Sequence, residues 1–285
     1  MKKKPLLFLL PVLILVSINA FIPLMTVVNY SQLYLFAGSA PVFSGLGNYV
    51  QVLTDPLFHG ALGRQIILSL LILMIQIPLG IFLAMKMPTK GSGVAVTLVL
   101  LGIPLLVPQT VVACMWRLIT QADVGILPKI LAFFHYNYDV ALNPFDAFTT
   151  ILMVDVWHWT PLVILLCYAG LMAIPRQYYA AADIDGASKW ATFRYVTLPK
   201  LRPVLVIAVL LRFMDSFAIY TEPMIMTGGG PGNTTTFLNL FVARKAETYE
   251  LGYAGAVSLI YLLIVVSICF VFFQIMMNVG EGEAK

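Results

Sequence analysis

Charged residues are scarce in this 285-residue sequence: Asp, Glu, Lys and Arg together make up 11% of it, against about 25% in ordinary soluble domains. Hydrophobic residues make up 60%, and the mean hydropathy is +0.92. This composition excludes a water-soluble globule and predicts an integral membrane protein. The formal net charge of +4 is modest, and it gives no support for binding to nucleic acid.

Cysteine is rare as well. Cys114, Cys167 and Cys269 all fall in apolar stretches, with neither the spacing of metal ligands nor that of a disulfide framework. We interpret them as small apolar packing residues.

Several motifs of soluble chemistry are missing. The chain has no G-x-x-x-x-G-K-[ST] phosphate loop, and the nearest run, TKGSG at 89–93, has the wrong order. Gly-x-Ser-x-Gly and His-Glu-x-x-His are also absent, which argues against an intramembrane enzyme. The longest connecting segments, 29–64, 117–147 and 170–203, are shorter than a typical domain of about 50 residues or more. We therefore expect no catalytic activity and no bound cofactor, so that energy for transport comes from another chain or from an ion gradient.

Six stretches are long and apolar enough to cross a hydrocarbon core, which requires about 20 helical residues. They lie at 5–28, 65–85, 94–116, 148–169, 204–226 and 253–273. The first exceeds the roughly 7 to 15 residues of a signal-peptide core, and Ile18 before Ala20 does not fit a cleavage site, so we interpret it as a retained span. The predicted fold class is an all-α integral membrane protein with six transmembrane helices, forming one transmembrane domain over 1–285. Prolines inside the spans, at 78, 104, 108 and 161, predict kinks.

The distribution of basic residues predicts the orientation, because cytoplasmic loops retain Lys and Arg. With the N-terminus inside, the larger set is cytoplasmic: Lys2, Lys3, Lys4, Lys86, Lys90, Arg176, Lys189, Arg194, Lys200, Arg202 and Lys285. The smaller, outer set is Arg64, Arg117, Lys129, Arg244 and Lys245. Both termini and the 175–203 segment are therefore predicted to be cytoplasmic.

The segment YYAAADIDGASKWATFRYVTLPKLRP, residues 178–203, is unusually polar for this chain. Its pattern predicts a helix over 179–185, a corner at Gly186, an N-cap at Ser188 and a second short amphipathic helix that stops at Leu198 and Pro199. Two interpretations remain open on physical grounds. The segment lies in the lipid headgroup layer, or it docks into a cytosolic partner.

Two groups of polar residues lie inside predicted spans, where ionisable side chains usually face a cavity or each other. Asp155, His158, Trp159 and Leu162 share one face of the fourth span, and Arg212, Asp215, Ser216, Ile219 and Glu222 share one face of the fifth. An aromatic ring beside polar groups suits a polyhydroxylated ligand. The alternatives are an interfacial aromatic belt with an Asp155–His158 pair, and a structural ion pair between Arg212 and Asp215.

Two stretches carry a resemblance to a known family. The first is the set Tyr179, Ala181, Ala182, Ile184, Asp185, Gly186, Ala187, Val196, Leu198 and Pro199; the second is MTGGGPGNTTT at 226–236. Together they resemble the permease subunits of binding-protein-dependent ABC importers, within the carbohydrate-uptake family that includes the maltose permeases. The resemblance covers most of the chain from the second span onward.

This resemblance implies that 175–203 is a coupling helix seated in a cleft of an ATPase subunit. The expected contact residues are Tyr179, Ala180, Ala181, Asp183, Asp185, Gly186, Leu198 and Pro199. The family's usual Glu is replaced here by Ala180, which removes one expected polar contact, and Asp183 or Asp185 is the available substitute. The two polar faces match positions that contact sugar in the maltose permeases.

The resemblance also implies partners: a second, related permease, two cytoplasmic ATPase subunits that hold ATP and Mg²⁺, and a periplasmic or lipid-anchored solute-binding protein, all at a bacterial inner membrane. The expected substrate is a sugar, a polyol or a sugar phosphate. PLMTVVNYS and FMDSFAIYTEP are similar to glycerol-uptake permeases and favour a small polyol. The 228–232 loop is expected outside, as a flexible re-entrant turn against the partner permease rather than an anion cradle. The alternative function is a proton- or ion-coupled secondary transporter that uses Asp155, His158 and Asp215 as a relay.

Overall fold

The computed structural model describes residues 4–36 and 40–282. The helices and strands are α1 (Lys4–Ser31), β1 (Leu33–Tyr34), β2 (Val42–Phe43), α2 (Gly47–Thr54), α3 (Pro56–Lys86), α4 (Ser92–Leu106), α5 (Gln109–Thr120), α6 (Ile126–Phe133), α7 (Pro144–Ala173), α8 (Arg176–Ile184), α9 (Lys189–Thr192), a π-helical turn (Phe193–Thr197), α10 (Leu198–Phe217), α11 (Thr221–Met226), α12 (Leu238–Glu247) and α13 (Leu251–Gly282). Lys2, Lys3 and Lys285, which contribute to the predicted cytoplasmic charge, lie outside the described residues.

Within the described residues, five helical stretches are long and apolar enough to cross a membrane. They are Leu9–Ser31, Pro56–Lys86, Pro144–Ala173, Lys189–Met226 and Leu251–Gln274. A sixth span results if α4 and α5 are counted together, although they are bent by 88°. The predicted all-α membrane fold is therefore confirmed, while the third predicted span, 94–116, is broken rather than continuous.

The break between α4 and α5 has a local cause. Val107 precedes Pro108, and a residue before proline is driven from helical to extended conformation. Val107 is extended, with φ −78° and ψ 126°, and Pro108 has no N–H to continue the helical hydrogen bonding. The kink predicted at Pro108 is thus present, and it is sharp enough to divide the span.

The predicted end of the inner segment at Leu198 and Pro199 is wrong. Pro199 lies in the first turn of α10, where its missing N–H removes no hydrogen bond. The chain therefore runs from α9 through the π-helical turn directly into α10. At the other end, the predicted span 204–226 is interrupted after Phe217 and resumes as α11.

The chain divides into two compact units, Met1–Ala61 with Phe241–Val266, and Leu62–Leu240 with Ser267–Lys285. In the first unit, β1 and β2 form a short antiparallel hairpin. The side-chain amide of Asn48 donates to the backbone carbonyl oxygens of Ser31 and Leu33, at 2.9 Å each. The Tyr253 hydroxyl donates to Asp55 Oδ2 at 2.6 Å.

The second unit holds the two buried clusters that position the candidate site. One consists of Ala84, Met87, Val163, Ile164, Cys167 and Leu201, and the other of Leu68, Ile72, Ile151, Ile219 and Phe237. Helices approach closely where glycine lies in the contact: a Cβ on Gly80 would lie 2.5 Å from Cγ1 of Val163. Cys167 packs in the first cluster as predicted, whereas Cys114 is exposed.

Candidate functional site

Arg212 of α10 lies at the centre of a buried polar network. Its side chain is fully buried, and its Nη2 atom lies 2.6 Å from Oδ1 of Asp155 on α7. Its Nε donates to Oε1 of Gln76 on α3 at 2.7 Å, and its Nη1 lies 3.4 Å from Oδ2 of Asp215. The guanidinium also stacks over the ring of Trp159, 5.0 Å from the ring centroid. A buried guanidinium requires partners of this kind, because an unpaired charge in an apolar interior is very costly.

Gln76 completes this network, and the sequence analysis missed it. Its Nε2 donates to both Oδ1 and the backbone carbonyl oxygen of Asp155, at 3.0 Å each. One amide therefore bonds Arg212 through its oxygen and Asp155 through its nitrogen, which joins α3, α7 and α10. The available signal was a single amide within the apolar run LILMIQIPLG of α3.

A cavity of about 140 Å³ lies beside the network. It is lined by Gln109, Asp155, Trp159, Asp215, Ala218, Ile219 and Glu222. The interruption between α10 and α11 brings Ala218 and Ile219 to the wall, and the break before α5 contributes Gln109. Five of the nine predicted substrate residues, Asp155, Trp159, Asp215, Ile219 and Glu222, therefore meet at one cavity.

The other four predicted residues lie elsewhere. Arg212 is buried behind the cavity wall, and Ser216 bonds Ser69 Oγ and the Phe213 carbonyl oxygen, at 2.8 Å each. His158 is buried against the backbone of Pro104 and Val107 at the span break, and within the described residues its Nδ1 has no hydrogen-bond partner. Leu162 is half-buried and does not line the cavity.

The interpretation of Asp155 and His158 as a neutralising pair is not what the structure has. Asp155 makes its hydrogen bonds with Arg212 and Gln76, so the ion pair that matters joins α7 to α10. No group of three or more His, Cys, Asp or Glu in the described part of the chain is placed to hold a metal ion. The wall instead combines an aromatic ring, an amide and carboxylates, which are groups that stack on sugar rings and accept hydroxyl hydrogen bonds.

The segment 175–203 has the predicted corner. Gly186 adopts φ +67°, a left-handed conformation that favours glycine. The backbone N–H groups of Gly186 and Ala187 donate to the carbonyl oxygens of Asp183 and Ala182, which closes the end of α8. Ser188 then begins α9 with its side chain accepting from the N–H of Ala191 at 3.2 Å, as its predicted N-cap role requires.

Most of the predicted coupling residues are accessible. Ala180, Ala181, Asp183, Asp185, Gly186 and Pro199 are exposed, and Tyr179 and Leu198 are half-buried. A Cβ on Gly186 would meet no atom of the described residues within 4 Å. Large apolar side chains flank the corner: Ile184 is 86% exposed, Trp190 68% and Tyr195 74%. The segment thus presents an open corner with apolar surface on both sides.

The 228–232 loop has Gly228, Gly229 and Gly232 at positive φ. Threonine hydroxyls bond its carbonyl oxygens: Thr236 donates to Gly229 at 3.0 Å and Thr235 to Gly230 at 3.1 Å. The threonine side chains that follow the loop therefore hold its backbone in place.

Known proteins are similar to this chain over most of its length. Residues 76–280 match the family described as the binding-protein-dependent transport system inner membrane component. A permease protein of the trehalose/maltose transport system of Thermococcus litoralis is 32% identical over 94% of this chain and 92% of its own length. A permease protein of the sulfoquinovosyl glycerol transport system of Agrobacterium fabrum is 28% identical over 94% of this chain and 89% of its own.

A solved structure shares the fold. A chain from the crystal structure of a bacterial ABC transporter involved in the import of the acidic polysaccharide alginate matches with a TM-score of 0.81, covering 97% of this chain and 96% of that chain. The sequence identity is 18%, so this likeness concerns the fold alone.

Proposed function

The chain belongs to the family of binding-protein-dependent transport system inner membrane components, and from that premise we propose that it forms half of the pathway of an ATP-driven carbohydrate importer. As a member it is a multi-pass inner-membrane permease subunit with no catalytic activity of its own. The observation that carries the proposal is the meeting of Trp159, Asp215 and Glu222 at one cavity, beside a break in each of two spans.

The relatives support a carbohydrate as the substrate class. Their names include trehalose, maltose and sulfoquinovosyl glycerol. The cavity chemistry agrees, because an aromatic ring and hydroxyl acceptors suit a sugar or a polyol. A small polyol such as glycerol remains within this proposal and is one of the substrates to be tested.

We assign the docking of an ATPase subunit to the 175–203 segment. Its exposed corner at Gly186 leaves room for close approach, and Ile184, Trp190 and Tyr195 provide apolar surface for a protein contact. ATP and Mg²⁺ belong to that partner in this proposal. Ala180 replaces the family's usual Glu and cannot make its polar contact. In this proposal Asp183 or Asp185, which are both exposed, makes that contact instead.

The continuity between segment and cavity supports a mechanical route. The helix that begins at Leu198 carries Arg212 and Asp215, roughly 20 to 25 Å further along at 1.5 Å per residue. A displacement of the segment by the closing ATPases is therefore transmitted along α10 to the network with Asp155 and Gln76. Rigid-body movement of helices in this way is a general route to alternating access of a membrane cavity to the two sides.

The exposed apolar surface supports contact with lipid and a second permease, and the family description supports a binding protein. The apolar window of Leu9–Ser31 has none of its residues buried within the chain. In the proposal, this surface contacts lipid and a second, related permease, and a periplasmic or lipid-anchored binding protein delivers the substrate from outside.

A secondary transporter is the competing function. It requires a proton relay through Asp155, His158 and Asp215. Asp155 and Asp215 both contact Arg212, and His158 lies at the span break, so the three do not form a hydrogen-bonded chain among the described residues. This arrangement favours an ATP-driven importer over a secondary transporter.

The test is uptake by the complete importer with its binding protein, reconstituted in proteoliposomes. Radiolabelled trehalose, maltose and glycerol are offered with internal ATP, with a non-hydrolysable ATP analogue, or with a proton ionophore added. Uptake of at least one of these that needs hydrolysable ATP and survives the ionophore supports the proposal. Uptake abolished by the ionophore while ATP is held constant would favour the secondary transporter.

A further inference from the structure

The cavity wall carries more negative than positive charge. Asp155, Asp215 and Glu222 line it, and no Lys, Arg or His is among the described residues that do so. Arg212 is the basic side chain in contact with this group, and it bonds Asp155 at 2.6 Å and Asp215 at 3.4 Å. Three carboxylates and one guanidinium give this group a formal charge of −2.

Glu222 is a second buried carboxylate at the cavity wall, besides Asp155. It is 2% exposed and lines the cavity. Among the described residues, its carboxylate is hydrogen-bonded by its own backbone N–H and by no other side chain. Because no side chain among the described residues bonds this buried carboxylate, its remaining acceptor sites are available to hydroxyl or cationic groups of a ligand.

Trp159 contributes an aromatic side chain to the same cavity. Trp159 is covered by the guanidinium of Arg212 on one side, at 5.0 Å from the ring centroid, while the ring also lines the cavity. The Arg212 side chain itself is fully buried and does not line the cavity. A passing solute meets the ring, the amide of Gln109 and the acceptor oxygens of Asp215 and Glu222.

We propose that this cavity accepts neutral, hydroxyl-donating or cationic solutes and excludes anionic ones, including phosphorylated and carboxylated sugars. This inference rests on the proposed import function and narrows its substrate class, because it removes sugar phosphates from the candidates. The physical basis is the excess of carboxyl groups over basic groups at the cavity, to which Asp215 and Glu222 contribute. In a cleft with low-dielectric walls, one sign of charge changes the local concentration of small ions by about 10- to 1,000-fold.

The direct test measures the sign of this field with charged thiol reagents of similar size. In the complete importer, Cys114, Cys167 and Cys269 are replaced by serine or alanine, and Ala218→Cys places one thiol at the cavity wall. Trimethylammonium-ethyl and sulfonato-ethyl methanethiosulfonates are then reacted with it, and each rate is divided by the rate of the same reagent with free cysteine. The cationic reagent is expected to react at least about ten times faster than the anionic one, and the ratio is expected to fall at high salt.

Two further variants identify the source of the field. Asp215→Asn/Glu222→Gln is expected to bring the ratio of rates close to one. The matched control, Asp123→Asn/Glu247→Gln, removes as many carboxylates from exposed positions outside the cavity and is expected to preserve the ratio. A ratio near one in the parent, or an unchanged ratio after removal of Asp215 and Glu222, would overturn the inference.

Uptake assays on the same preparations separate the two proposals. ATP-dependent sugar uptake together with equal reagent rates rejects the charge selection and leaves the import function standing. A strongly cation-selective cavity in a complex that takes up no sugar rejects the import of carbohydrate, while the charge measurement itself stands.

Discussion

Arg212 and Asp155 form a buried ion pair between α10 and α7, with Nη2 and Oδ1 2.6 Å apart and side-chain exposures of 0% and 4%. Gln76 bonds both partners from a third helix. A pair of this kind fixes the geometry of the helices that meet there, because each buried charge needs the partners that the other helices supply. The pair therefore belongs to the machinery that shapes the cavity, and breaking it is expected to be visible in stability as well as in transport.

Removing one partner of this pair is expected to be far more damaging than removing both. Asp155→Leu leaves a buried guanidinium with Gln76 and the longer 3.4 Å contact to Asp215, and it should cost about 3–5 kcal/mol of stability. The double variant Asp155→Leu/Arg212→Met should recover most of that loss but remain defective in uptake. Thermal melting of the detergent-solubilised complex, followed by size exclusion, measures the stability, and ATP-dependent uptake in proteoliposomes measures the transport defect.

The pair Lys245–Glu250 is the control for this comparison. Its two side chains are 24% exposed and lie 2.9 Å apart, so Glu250→Gln should cost no more than about 1 kcal/mol. Equal losses from Asp155→Leu and Glu250→Gln would contradict the role given to the buried pair.

Trp159 is expected to contribute to substrate recognition, and its neighbour Trp157 is not. Trp159→Ala should reduce ATP-dependent uptake at least about tenfold by removing a stacking surface worth about 1–2 kcal/mol or more, while Trp159→Tyr should retain part of it. Trp157 is 38% exposed, packs edge-on against Trp116 and does not line the cavity. Trp157→Ala should therefore transport normally, and similar defects in both alanine variants would refute the assignment.

Gly80 is expected to be required for the packing of α3 on α7. A Cβ there would lie 2.5 Å from Cγ1 of Val163, so Gly80→Ala should lower the melting temperature, and Val163→Ala should relieve part of the strain. Gly63 lies on the same helix with no atom within 4 Å of its Cβ position. Gly63→Ala should be neutral or stabilising by up to about 1 kcal/mol, and an equal loss at both glycines would argue against the contact.

The missing family Glu provides a test of the coupling segment. If Asp183 and Asp185 supply the polar contact, Asp183→Asn/Asp185→Asn should lower the amount of ATPase subunit that co-purifies with this chain. Adding Ala180→Glu to that double variant should restore it, since Ala180 is exposed and tolerates a longer side chain. Asp123→Asn serves as a control outside the segment. Full retention in the double variant would show that neither Asp takes part.

The sequence predicted the features that depend on local pattern. Hydropathy located the spans, the Gly186 corner followed from a glycine between two helical patterns, and the Ser188 cap followed from its position before α9. The features it missed depend on contacts between distant segments. Gln76 has no partner within reach along its own helix, so its bonds to Asp155 and Arg212 appear only when three helices are packed together.

Two predicted boundaries that the structure corrects, the end at Pro199 and the continuous span 94–116, both involve a proline. Pro199 was read as a stop, yet a proline in the first helical turn is favourable. The kink predicted at Pro108 is present, but the extended residue Val107 before it gives a bend of 88°, which divides the predicted span 94–116. A proline indicates that a helix begins, bends or ends nearby. The direction of the chain beyond the proline depends on how the helices pack.

The most direct test of the whole account is co-purification of an ATPase subunit with this chain, expressed together with its partner subunits, from wild type and from Gly186→Trp. Gly91→Trp is the matched control, because Gly91 also has positive φ, at +80°, and open space at its Cβ, but lies outside the 175–203 segment. An ATP-hydrolysing subunit is expected to accompany wild type and Gly91→Trp and to be lost from Gly186→Trp. If no ATPase accompanies the wild-type chain, or if Gly186→Trp retains it fully, the assignment of this segment as the coupling element is contradicted.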